Sequence, residues 1–467
     1  MSTRFCLLVA VAPLLLASGV EAHPDASAGA AGRPGVWTRV TATNGRNIDE
    51  AGSARTADGT LHVLWQRRSA PLREGIMNTR VSPAGTAAAA AVVLDGLKAV
   101  SNADVAVTPD GRLRAFFMGL GTTAEEGGVV SASAPPSGVG WTREGVRVSS
   151  SSQAVGPVGA AVTAAGQPVF AYAMSFVLGL HVGLNRQVAD VNLAPDRRCC
   201  DYLPDVATDR ATGESYVAWY SRADGRRGVW AQRVVPPLGP QMRAPGSVVG
   251  DRSVGQDQRT AIAARSTGGG VYVAYCNGYP TCKGALLWRV GAPSALRAGS
   301  SADVEDVNVA AAPEGRLWVM WHDGQSSRRI LARRTNKAVT RLGPVRTIRP
   351  PRGTSAIWKL GGEGSLGPLD LLASVSTPGS LATWHTQVRP PLMLSVSVAK
   401  TKSSRKTVSF SVNDVGDPVA NAKLTVGGKT RAVPAGGKLS LKLSRGRYAA
   451  TATAPGYDAA KARVIVR

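Results

Sequence analysis

The chain has 467 residues, with 55 Lys and Arg against 31 Asp and Glu, a formal net charge of +24. Apolar residues make up 44% and charged residues 18%, too hydrophobic for a disordered chain, and the 53 glycines lack the three-residue period of a collagen. Beyond the first residues, no uncharged run approaches the roughly 20 apolar residues a bilayer span needs, so no membrane span is expected.

The N-terminus reads as a targeting segment. Arg4 supplies a positive start, Phe5 to Ala17 an apolar run of about 13 residues, and Val20-Glu21-Ala22 a small-residue cleavage site, the layout of a secretory signal peptide. The expectation is a signal peptide over residues 1–22, a flexible mature N-terminus over 23–35, and a secreted or cell-surface location. Cys6 precedes the apolar run, whereas a lipid-modified cysteine would follow it.

From residue 36 onward a repeat sets the fold. Seven times a turn glycine separates two short β-like runs, at Gly59, Gly111, Gly166, Gly213, Gly269, Gly315 and Gly367. Six of the second runs end in an aromatic residue, namely Trp65, Phe117, Tyr172, Trp219, Tyr275 and Trp321. The spacing averages about 51 residues, the length of a four-stranded propeller blade. A third strand follows in register, seen in Gly75–Val81 and again in Gly228–Val234, 153 positions on. One such unit cannot bury both its faces, so the units must stack around an axis. The pattern predicts an all-β chain with a β-propeller over residues 36–392, of six or seven blades with seven favoured. Trp37-Thr-Arg-Val40 is placed as the outer strand of the last blade, which would close the ring and remove exposed sheet edges.

Four cysteines remain after cleavage, Cys199, Cys200, Cys276 and Cys282, and an even number in a secreted chain favours disulfides. Asn-Gly-Tyr-Pro-Thr between Cys276 and Cys282 is a turn sequence that would bring those two into bonding range. Adjacent Cys199 and Cys200 would bond each other or take other partners, and three connectivities stay open. The C-C and C-x5-C spacings lack a zinc-knuckle form, so no metal site is expected.

Pro390-Pro391 marks a stiff linker. Residues 393–467 then alternate strictly between apolar and polar positions, predicting six or seven short strands in a small antiparallel sandwich. From residue 396 this segment holds 8 Lys and 6 Arg against only Asp414, Asp417 and Asp458. Asp417-Pro-Val-Ala-Asn-Ala, Gly446-Arg-Tyr448 and Pro455-Gly-Tyr457 resemble the immunoglobulin-like, carboxypeptidase-regulatory-type modules of bacterial secreted proteins. That resemblance implies a spacer or binding appendage without catalytic residues.

Metalloprotease, phosphate-loop, dinucleotide and nucleophile-elbow fingerprints are absent, and no cofactor is expected. His62, His181, His322 and His385 are scattered over different repeats and read as packed β-residues. Carboxylates carry the stronger signal. Asp104, Asp205 and Asp306 open the inner strands of alternate blades, 101 residues apart each time, and Asp49 with Glu50, and Asp257 with Arg259, hold corresponding places in two others. Inner strands start at one end of a propeller channel, so these side chains would converge on one mouth. Paired carboxylates in a cleft suit acid/base work on a glycosidic bond. The competing reading is structural, an Asp before a Val accepting a backbone N–H. The catalytic candidates are Asp49, Glu50, Asp104, Asp205 and Asp306, and the anion- or ligand-binding candidates Arg46, Asp257 and Arg259.

The blade pattern, with Val36-Trp37-Thr38 and Gly140-Trp141-Thr142, is similar to the sialidase-type propeller superfamily over residues 36–392. The chain departs from that family in lacking a full S-x-D-x-G-x-T-W box and the F/Y-R-I-P arginine motif; Ser137-Gly-Val-Gly-Trp141-Thr keeps only a box's tail. The resemblance implies the scaffold. Positive charge points to an anionic glycan or cell-wall polymer as partner, and secretion argues against nucleic acid. The expected protein is a monomeric binding or scaffold module, the alternative a sialidase-like exo-glycosidase acting at the channel mouth.

Overall fold

All seven turn glycines adopt φ between 65° and 107°, a region that costs a side-chain-bearing residue and not glycine. Each sits in the turn between the first and second strands of a sheet. The computed structural model describes residues 35–41, 50–69, 73–101, 103–121, 127–150, 154–174, 180–184, 190–193, 201–234, 238–247, 259–278, 282–300, 304–324, 328–399 and 405–467. The expected signal peptide, the N-terminus up to residue 34, and Arg46, Asp49, Cys199, Cys200 and Asp257 lie outside the described residues.

Among the described residues, seven antiparallel sheets succeed one another between Thr38 and Val388. The first comprises Gly52–Arg55, Leu61–Ser69, Arg73–Val81 and Ala91–Leu97, and the fourth Asp201–Asp209, Glu214–Ser221, Gly228–Arg233 and Met242–Arg243. The others repeat this meander, the second adding Ala99–Val100 beside Leu113–Leu120. The innermost strands are Gly52–Arg55, Asp104–Val107, Ala154–Val162, Asp201–Asp209, Ile262–Ala264, Val304–Ala311 and Ala356–Glu363. Each touches the next, and the seventh touches the first, so the sheets form a closed, propeller-like ring. Thr38–Arg39 pairs with Ser380–Val388, with Thr38 opposite His385, so the chain's start lies outermost in the sheet that ends the ring. Arg55 ties the seam, donating through Nε to Glu363 Oε2 at 2.6 Å and through Nη2 to Asp370.

The strand-ending aromatics fill the spaces between sheets. Trp65, Phe117, Tyr172, Trp219, Tyr275 and Trp321 are all buried, each such side chain worth about 1.5–3 kcal/mol of apolar burial. The four histidines are buried too: His181 stacks on Tyr172 with ring centroids 5.7 Å apart, and His385 Nε2 lies 2.8 Å from Asp370 Oδ1. Cys276 and Cys282 form a disulfide with Cα atoms 5.6 Å apart. No helix among the described residues is long and apolar enough to cross a membrane.

After Pro391 come eight strands rather than six or seven, in two sheets. One holds Met393–Val398, Arg405–Asp414, Asp417–Pro418 and Lys438–Ser444; the other Lys429–Ala432, Lys423–Val426, Gly446–Thr453 and Ala460–Val466, in that spatial order. Val408, Phe410, Leu424, Val426, Ala450 and Val464 pack between them. This module docks on the sixth sheet of the ring through ion pairs. Buried Asp414 receives Arg334 and faces Arg316 Nε at 3.5 Å, Asp417 receives Arg316 Nη1 at 2.7 Å, and Asp458 pairs with Arg346.

Candidate functional site

The innermost strands share one position, opposite the residue before the strand-ending aromatic. It is Gly52 in the first sheet, then Asp104, Gly159 and Asp205, with Ala261, Asn308 and Gly361 completing the ring. Polar and small residues therefore alternate. Asp104 Oδ1, Asp205 Oδ1 and Asn308 Oδ1 each accept the N–H of the following valine, at 2.9, 2.7 and 2.7 Å. Two of them also bridge to the next sheet: Asp104 Oδ2 accepts Ala160 N at 2.8 Å, and Asn308 Nδ2 donates to Leu360 O at 2.9 Å. Those neighbours come close because the adjoining position lacks a side chain. A Cβ on Gly159 would lie 2.3 Å from Asp205 Cα, and one on Gly52 2.4 Å from Ala103 O. The two-blade spacing of the aspartates thus has a structural cause.

Asp306 does not share that position. A bulge between Glu305 and Asn308 puts Asn308 opposite Met320, where Asp205 stands opposite Ala218. Asp306 instead matches Leu203 inside the corresponding bulge, and both have positive φ, 57° and 59°. The fourth sheet carries one extra residue between the aspartate and its turn glycine, which brought the Asp-Val letters into false register. Counting back from the turn finds the true place, since Asp104 and Asn308 both stand seven residues before their glycines.

Glu50, Asp104, Asp205 and Arg259 do converge. Arg259, 4% exposed, reaches across the ring to donate to Ala103 O at 2.9 Å and Ala51 O at 3.4 Å. Its guanidinium lies 3.6 Å from Glu50 Oε1 and 3.7 Å from Asp104 Oδ1. Glu50 also accepts Arg259 N at 2.7 Å and Asn308 Nδ2 at 3.0 Å. Burial, and then the negative charge of Asp104, hold the Asp205 carboxyl well above the usual carboxylate range despite Arg259. Burial disfavours the charge on Arg259, but the surrounding Asp104, Glu50 and Asp205 more than offset it and keep the guanidinium protonated.

Beside this group lies a second cluster of residues that periodicity alone did not assemble. Burial pushes Asp306 up to about 8, Lys359 opposing and Glu50 reinforcing the shift. Asp306 Oδ2 has no hydrogen-bond partner. Burial and Lys359 push His322 down to about 4, and its Nε2 lies 3.6 Å from Glu305 Oε2. Lys359 enters at a bulge in the seventh sheet, which the repeat's spacing does not reveal. Among the described residues no three His, Cys, Asp or Glu side chains are grouped to hold a metal ion.

At the opposite, turn end of the ring is a cavity of about 610 Å³, lined by Arg55, Thr56, Thr108, Thr163, Arg210 and Leu366 among others. Arg55 is committed to Glu363 and Asp370, while Arg210 is exposed. The cavity can hold a small polar ligand and offers no pair of carboxyl groups.

No family model matches the chain, and no curated protein matches it. Among solved structures, the SapL1 lectin in complex with α-methyl fucoside is similar at 14% identity and a TM-score of 0.39, over 65% of this chain and 97% of that one. The GH93 α-L-arabinofuranosidase of Fusarium graminearum is similar at 12% identity and 0.40, over 77% and 98%. A PL25 ulvan lyase bound to a glucuronate–rhamnose sulfate unit is similar at 8% identity and 0.45, over 77% and 95%. At such identities and scores no ligand or activity carries over to this chain.

Proposed function

We propose that this is a secreted, monomeric, seven-bladed β-propeller with a C-terminal immunoglobulin-like module, and that it binds or scaffolds an anionic glycan or cell-surface polymer without cleaving it. The commitment of the convergent carboxylates carries this reading. A glycosidase needs two carboxyl groups facing a sugar, one to donate a proton and one to attack or activate water. Here a guanidinium already stands between Glu50 and Asp104, and backbone amides hold Asp104 and Asp205. The net charge of +24 favours a polyanionic partner. The turn-end cavity, at about 610 Å³, has the size of a small-molecule pocket.

A second reading rests on Asp205, whose raised proton affinity is what a general acid needs. It is a sialidase-like exo-glycosidase. The two separate on a panel of chromogenic glycosides, sialosides included, run beside retention on heparin and isolated cell wall. The binding reading expects no chromophore release, and retention that fades between about 50 and 200 mM salt. Turnover that disappears in Asp205→Asn and Glu50→Gln would replace it with the glycosidase, and salt-independent retention would remove the electrostatic partner.

A further inference from the structure

The C-terminal module has three carboxylate side chains, Asp414, Asp417 and Asp458, and all three face the ring. Asp414 is taken up by Arg334 and Arg316, Asp417 by Arg316 Nη1 and by Lys337 N at 2.7 Å, and Asp458 by Arg346. Docking therefore pairs every acidic side chain of the module with a guanidinium of the ring, although Asp458 stays partly exposed, and leaves the module's own cations without them.

Four of those cations share the outer face of one sheet, while the other sheet turns Arg405, Lys438 and Lys442 outward. Leu424, Val426, Ala450, Ala452, Val464 and Val466 point inward, so strand alternation turns Lys423, Arg447, Lys461 and Arg463 outward, and all four are exposed. Lys429 and Arg431, also exposed, stand on the edge strand opposite inward-pointing Val426 and Leu424 and so project from the other side of the sheet. Among the described residues none of the four outward cations Lys423, Arg447, Lys461 and Arg463 makes an ion pair. Across the middle of the same face runs a hydroxyl row: Thr430 pairs with Thr425, whose hydroxyl lies 2.8 Å away, Thr425 pairs with Thr451, and Thr451 pairs with Lys461. The face carries no aromatic ring on which a nucleobase could stack. Its sole large apolar side chain is Ile465, too little for insertion into a lipid surface.

We infer that this sheet, built on Lys423–Val426, Lys429–Ala432, Gly446–Thr453 and Ala460–Val466, is the docking face for an extended linear polysaccharide bearing uronate or sulfate groups. The flat row of cations meets the acidic groups and the threonine row meets the sugar hydroxyls. The inference rests on the polyanion-binding reading and assigns it to one face. It is independent of the turn-end cavity.

The test uses the full chain, with immobilised heparin and polygalacturonate as probes and neutral dextran as control, at about 100 mM salt. One variant replaces Lys423, Arg447, Lys461 and Arg463 with Ser. A second removes equal charge from the ring, replacing Lys98, Lys283, Arg289 and Arg297, all exposed, with Ser. The face variant is expected to bind at least about tenfold more weakly and to show a shallower salt dependence, while the ring variant stays within about twofold and both keep the unaltered melting temperature. Equal losses in the two variants would overturn the face and leave general polyanion binding intact. Failure of the unaltered protein to bind either probe would instead remove the binding reading itself. Competition by duplex DNA as effective as that by free heparin would overturn the polysaccharide assignment.

Discussion

Asp306 occupies a costly position in the ring. It takes φ 57° in a bulge, as Leu203 does at 59° in another sheet, and buries a carboxyl whose Oδ2 has no partner. Its affinity for a proton follows, raised to about 8 mainly by burial. An unfolded aspartate ionises near 4, so between about 4 and 8 the folded state binds the extra proton, and stability falls as pH rises through that window. His322, lowered to about 4, acts in the opposite sense. Its contribution is complete above its unfolded value near 6.5 and is lost as pH falls toward 4. The two oppose each other at acidic pH, and above about 6.5 Asp306 continues to act, in the same sense as Asp205, whose carboxyl burial also holds above the usual range. Asp306→Asn keeps the shape, and asparagine tolerates positive φ well. The variant is therefore expected to melt about 2 °C or more higher at pH 8 and to show a shallower decline between pH 6.5 and 8, with Asp205 supplying the remainder. An unchanged pH profile in thermal denaturation would show that the carboxyl is not the cause.

At the level of strands and sheets, what was legible in the sequence was what backbone conformation demands locally. The seven turn glycines stand out because positive φ requires them, and the aromatic six residues beyond most of them marks a strand that must bury its outer end. The alternation of aspartate with a small residue was half visible. Asp104 and Asp205 could be seen, but Asn308 was hidden because the extra residue between Asp205 and Gly213 shifts the letters, so that a second step of 101 lands on Asp306 inside the bulge. The meaning of the alternation appears only when neighbouring sheets are in contact, because the small residue is dictated by the polar residue next door. Gly159→Ala tests that dependence. Its Cβ would lie 2.3 Å from Asp205 Cα and 2.7 Å from Asp205 Oδ1, so the third and fourth sheets must separate. The expected cost is about 3 kcal/mol in chemical denaturation. Gly436→Ala, with nothing within 4 Å of the new Cβ, is the matched control and should shift stability by less than about 0.5 kcal/mol. Equal effects would mean that the seam between sheets is looser than its contacts imply.

Across the whole molecule the excess positive charge is divided by pairing as well as by composition. The tail's basic character was plain in the sequence, but the withdrawal of its three carboxylates was not, because Asp414 and Arg316 are 98 positions apart and only the docked fold brings them together. The same contacts decide whether the two parts move independently. Asp414 is 1% exposed and lies against Arg316 and Arg334, themselves 1% and 4% exposed, and Arg334 also donates to Tyr457 Oη at 2.9 Å. A buried charge stripped of its partner costs about 3–5 kcal/mol, and here Arg334 would lose its carboxylate while Arg316 would keep Asp417 alone on the module side. Asp414→Ala should therefore release the module before the ring unfolds. Calorimetry is expected to resolve two transitions where the unaltered protein shows one, with cleavage near Pro390-Pro391 becoming accessible to protease. Had the module been tethered by its linker alone, Asp414→Ala would leave the melting profile unchanged. Release also exposes Asp417 and Asp458, the two carboxylates that remain on the module, so the same variant should bind a polyanion less well than the docked protein. Docking is thus the step that neutralises the module's carboxylates against the ring and leaves its outer cations unopposed.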